Sequence, residues 1–97
     1  MSEKYFLYAR CFRWENEMIG YSLVDVGLEA DAQFSSDDEA RDFFKDRQKN
    51  SILQQAYDKV EYILYRGGVR FEGGGTEIYK WIWAKAQDTR RISTGIV

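Results

Sequence analysis

The sequence predicts an α+β fold: a mainly antiparallel β-sheet with two α-helices packed on one face. Three observations carry this expectation. Residues 4–14 are rich in aromatic residues, and residues 28–34 alternate in polarity. At Ser36 the spacing switches to a helical period behind a capping signal. Residues 78–86, IYKWIWAKA, then return to strand-like composition.

Residues 4–14, KYFLYARCFRW, read as the first strand. At period two, one face is Tyr5, Leu7, Ala9 and Cys11, and the other is Phe6, Tyr8, Arg10, Phe12 and Trp14. With both faces largely apolar, this strand belongs at the centre of its sheet. Residues 19–26, IGYSLVDV, form a second strand after a short hairpin loop. Residues 28–34 alternate without a fault, the pattern of a half-buried strand. Gly27 between them marks a bend, a bulge or a tight turn.

Ser36-Asp37-Asp38-Glu39 forms a capping box, and three carboxylates in the first turn suit the positive end of the helix dipole. Ala40, Phe43, Phe44 and Arg47 then share one side, so a helix is expected over about 36–48. Ser51 with Gln54 forms a second capping box, and Ile52, Ala56, Tyr57, Val60, Ile63 and Leu64 recur at helical spacing up to Gly67. This predicts a second helix over about 51–66, with Gly67 as its left-handed C-cap. A rival pattern exists here: Tyr62–Arg66, Gly67-Gly68 and Val69–Glu72 also spell a hairpin. Residues 69–72 read as a short strand, 73–75 as a glycine turn, and 91–97 as an edge strand. A helix capped by Thr76 competes with the strand at 78–86.

The chain has 97 residues and no linker or repeat, so a single domain over 1–97 is expected. Hydrophobic residues at 44% against 31% charged place it among globular chains. The formal net charge of −2 disfavours nucleic acid as the main partner. The charge is uneven: residues 1–50 carry seven basic and eleven acidic groups, and residues 51–97 carry seven and five. One cysteine, no signal peptide and no apolar span predict a cytoplasmic protein without disulfides or membrane contact.

Histidine is absent, which removes imidazole-based triads and most zinc sites. Gly73-Gly74-Gly75-Thr76 lacks the lysine and spacing of a P-loop. Cys11 in mid-strand reads as a buried structural thiol. Glu15 with Glu17 and the Asp37-Asp38-Glu39 run read as solvated or capping carboxylates. No catalytic residue, metal ligand or cofactor is therefore expected, and the chain is not expected to be an enzyme.

The aromatic residues are the one functional pointer. Tyr79, Trp81 and Trp83 share a face, Phe12 and Trp14 end the first strand, and Arg10, Arg13, Arg70, Lys80 and Lys85 are interleaved. Core and rim is the leading expectation for these rings in so small a chain. The functional alternative names Trp14, Arg70, Tyr79, Trp81 and Trp83 as a ligand- or partner-binding set. On it, the expectation is a non-catalytic interaction protein, self-associating as a homodimer or binding a protein partner through an aromatic sheet surface. A small-ligand or nucleic-acid module is the alternative.

The order of hairpin, further strand and a helix opening S-D-D-E-A at Ser36–Ala40 loosely resembles small bacterial, phage or mobile-element accessory proteins, and the partial RNase-H-like fold of some antitoxins. The resemblance covers about a third of the chain and assigns no functional residue.

Overall fold

A computed structural model describes residues 3–49, 51–68 and 74–85. Its elements are β1 (Glu3–Asn16), β2 (Gly20–Phe34), α1 (Asp37–Arg47), α2 (Leu53–Ala56), β3 (Lys59–Arg66) and β4 (Thr76–Ala84). The four strands form one antiparallel sheet in the order β2-β1-β3-β4. The α+β class, the antiparallel sheet and the two helices follow the sequence expectation. β1 is central, as its two apolar faces require.

β1 and β2 make a long hairpin closed at Asn16, whose Oδ1 accepts hydrogen bonds from the backbone N–H groups of Met18 and Ile19. Gly20 takes φ 80 there, a conformation open to glycine at no steric cost. β2 is one continuous strand through Gly27, which pairs with Ala9. Two bulges lie in it, at Val24 and Glu29, where the register slips by one residue.

Ser36 caps α1 as expected: its hydroxyl accepts the Glu39 N–H at 3.2 Å. Asp37, in the first turn, ties the helix to the sheet by accepting from the Tyr5 hydroxyl and from Arg66, both at 2.7 Å. Ala40 and Phe44 are fully buried against the sheet.

The predicted helix over 51–66 is corrected. Only one turn, Leu53–Ala56, is helical, and Lys59–Arg66 is strand β3. Tyr57 breaks the helix with φ −126 and ψ 163. The Gln54 side chain does not close a capping box but donates to the Gln48 carbonyl at 2.6 Å. Val60 and Leu64 fit both periods, so spacing alone did not separate them. The deciding demand is non-local: central β1 has two edges of backbone donors and acceptors, and β3 satisfies the second.

Gly67 is therefore not a helix cap. It leaves β3 at φ 73, followed by Gly68 at φ 87. The strand ends at Arg66, where the rival hairpin put it, and its partner on this side is β4. Gly75 packs against this turn, and a Cβ on it would lie 2.6 Å from the Gly67 carbonyl oxygen. The strands predicted at 69–72 and 91–97 lie outside the described residues.

Paired residues on neighbouring strands share a face. The inner face carries both helices and the core: Tyr5, Leu7, Ala9, Cys11, Val60, Tyr62 and Leu64 from the sheet, with Phe34, Ala40 and Phe44. Cys11 is buried there, as expected, and burial with help from Asp25 and Glu29 pushes its thiol pKa up. No helix among the described residues is long and apolar enough to cross a membrane.

Candidate functional site

The sheet register divides the predicted aromatic set. Trp83 pairs with Val60 and Trp81 with Tyr62, which places Tyr79, Trp81 and Trp83 on the inner, helix-bearing face. All three are half-buried and pack against the core, and Trp81 stacks on Tyr62 at 5.5 Å and 28°. Trp14 lies on the opposite face with Phe12, where it meets Tyr21 edge-on at 4.8 Å. The expected set is thus not one surface. Arg70 lies outside the described residues.

The outer face gathers a different group. From β1 come Phe6, Tyr8, Arg10, Phe12 and Trp14. Opposite them on β2 stand Leu28, Val26, Leu23 and Tyr21. On the other side β3 supplies Lys59, Glu61, Ile63 and Tyr65, and β4 adds Lys80 and Ile82. No helix among the described residues packs on this face. Leu23, Val26 and Ile82 are 48%, 51% and 51% exposed on this face, while Phe6, Phe12 and Ile63 beside them are buried. The bulges at Val24 and Glu29 matter here. By shifting the register twice they bring Leu23, Val26 and Leu28 to the same side as Phe12, Arg10 and Tyr8.

At the centre sits Glu61, whose side chain is 11% exposed and ringed by three cations. Its carboxylate lies 3.3 Å from Lys59, 3.6 Å from Arg10 and 3.8 Å from Lys80. Three positive groups on one carboxylate leave this part of the face cationic in a chain that is acidic overall. The same cations cover rings: Lys59 Nζ is 4.9 Å from the Phe12 centroid and 5.2 Å from that of Tyr21, and Arg10 lies 5.6 Å from Phe12. Such pairs are favourable, more so when sheltered from water. Tyr8 and Tyr65 add an edge-to-face pair at 5.7 Å.

Chemically, this face joins an apolar margin to a cationic, aromatic centre. Its apolar margin offers area to bury, and its centre offers cations and aromatic edges that recognise carboxylates or planar groups. The helix expected over 51–66 takes in Lys59 and Glu61 and so hides their place beside Arg10 and Phe12. The available signal was the alternation in Lys59–Tyr65, which sends Val60, Tyr62 and Leu64 one way and Lys59, Glu61, Ile63 and Tyr65 the other.

No protein-family model, curated protein or solved structure matches the chain.

Proposed function

We propose that this chain is a non-catalytic interaction protein that self-associates, outer sheet face against outer sheet face. One observation carries the proposal: both helices cover one side of the sheet, while the other side exposes Leu23, Val26 and Ile82 beside a cluster of rings. Exposed apolar patches of this kind mark interaction surfaces, and two sheets stack face to face at about 10 Å with their side chains interdigitated. Tyrosine, tryptophan and arginine, which this face supplies, are the residues that dominate such contacts. Sedimentation of the purified chain over a range of concentrations tests it. A dimer that Val26→Lys converts to monomer, with an unchanged circular-dichroism spectrum, is the expected result. A wild-type chain that stays strictly monomeric at high concentration overturns the proposal.

A second reading rests on the cations held over Phe12 and Tyr21. Positive groups interleaved with stacking rings on an open sheet suit a single-stranded nucleic acid. It predicts that an oligothymidylate changes tryptophan fluorescence, with an affinity that falls steeply as salt rises. Fluorescence unmoved by the oligonucleotide at low salt removes this reading and leaves the first untouched.

A further inference from the structure

β2 is an edge strand. Among the described residues it pairs with β1 alone, so one row of its backbone donors and acceptors lies open. Such a row is a template for another strand. The part of β2 that follows the hairpin turn is the most prone to pairing. Leu23, Val24 and Val26 are exposed there. The chain has no proline to interrupt the run, and Asp25 is the only charged residue between Glu17 and Glu29. Exposed segments that combine high β-propensity with low charge pair with copies of themselves.

The backbone geometry places Asp25 at this edge. Even-numbered residues of β1 turn their backbone groups toward β3: the Lys4 carbonyl accepts from the Gly67 N–H at 2.8 Å, and the Phe12 carbonyl from the Asp58 N–H at 3.0 Å. Odd-numbered residues therefore bond toward β2, since the two directions alternate along an antiparallel strand. Val26 stands opposite Arg10, so its N–H points away from β1 to the free edge. The Asp25 carboxylate accepts that N–H at 2.8 Å. One side chain thus occupies an edge donor and sets a negative charge beside it. The bulge at Val24, next to it, adds a local twist.

We propose that the free edge of β2 is a latent pairing surface for the same edge of a second copy, and that Asp25 holds it closed. A two-fold antiparallel pairing centred on residue 25 would set Val24 of each copy against Val26 of the other, an apolar match on both sides. It would also set the two Asp25 carboxylates directly opposite each other, where like charges destabilise the pair. Each carboxylate would further have to release the Val26 N–H to the incoming strand. This guard acts at the sheet edge and is independent of any association through the outer face.

Four variants of the full chain test the proposal by sedimentation beside wild type at one concentration, with circular dichroism as the check on folding. Asp25→Ala removes the charge and the acceptor and should form species larger than wild type. Asp25→Asn removes the charge alone and should form them to a smaller extent; it also carries the comparison if the alanine variant does not fold. Asp25→Lys loses the carboxylate but restores a charge, and Glu29→Gln loses a carboxylate outside the run. Both should sediment as wild type does. In the assembled Asp25→Ala chain the Val26 amide should exchange its hydrogen at least about tenfold more slowly than in the same variant diluted until it no longer assembles. Folded Asp25→Ala and Asp25→Asn chains that sediment as wild type overturn the proposal. So does equal assembly of Asp25→Lys or Glu29→Gln, and so does assembly that leaves the Val26 amide unprotected.

Discussion

The Tyr5 hydroxyl donates to the Asp37 carboxylate at 2.7 Å, joining the central strand to the first turn of α1. The same carboxylate accepts from Arg66 at the end of β3, so one side chain links helix, β1 and β3. Burial, and then the hydrogen bond to Asp37, raise the tyrosine pKa from its ordinary value of 10.0 to about 12.

The sign of the resulting pH effect is fixed by linkage. The folded state keeps the Tyr5 proton to higher pH than the unfolded chain does, so stability falls as pH rises from about 10 toward about 12. Tyr5→Phe should flatten this part of the curve and cost about 1 kcal/mol at neutral pH, because Asp37 loses one donor. Urea denaturation of both proteins across that range checks it. Parallel pH dependences would count against the linkage.

Glu61 holds three cations together, so its removal exposes their mutual repulsion. Glu61→Gln should destabilise the chain by about 1–3 kcal/mol, a moderate figure because Arg10 and Lys80 reach solvent. Added salt should recover part of the loss by screening the cations. Thermal melts at low and high ionic strength read both effects, and a variant as stable as wild type at low salt would exclude a structural role for the carboxylate.

Two glycines should respond in opposite ways to alanine. At Gly75 the new Cβ would meet the Gly67 carbonyl oxygen at 2.6 Å, so Gly75→Ala should cost about 1–3 kcal/mol. At Gly27 nothing lies within 4 Å of the Cβ position and the backbone is extended within β2. Gly27→Ala should be neutral or stabilising by up to about 1 kcal/mol, through the lower entropy of the unfolded chain. Equilibrium unfolding of the pair distinguishes a steric cost from a general intolerance of substitution.

Cys11 should be unreactive in the native state. Its thiol is buried, and burial together with Asp25 and Glu29 disfavours the thiolate. A thiol reagent such as dithionitrobenzoate should label it only as the chain opens, with a rate that rises as urea is added. Immediate stoichiometric labelling without denaturant would contradict the burial.

The parts of the fold legible in the sequence are those set by neighbours in the chain. Ser36 with the acidic first turn marks a helix start wherever it occurs. The short loop at Glu15–Met18 and the alternating run before Phe34 signal a hairpin and a half-buried strand. The segment from Ser51 to Arg66 was not legible in this way, because Val60 and Leu64 sit on one side at either period. Its strand state is chosen by β1, which needs a partner along its second edge. The candidate site was split for a similar reason. Trp14 and Trp81 look alike as aromatic residues on strands, and only the pairing of Phe12 with Lys59 and of Tyr62 with Trp81 sends them to opposite faces.

The sequence by itself determined the α+β class, the capped first helix, the central place of the most aromatic strand and the burial of Cys11. These follow from periodicity, capping chemistry and hydrophobicity, which act over a few residues. The tertiary structure alone decided that Lys59–Arg66 is a strand, that Arg10, Lys59 and Lys80 converge on Glu61, and that Glu29 faces the end of α1. Those outcomes depend on register between strands distant in the chain, and a shift of one residue moves a side chain to the other face of the sheet.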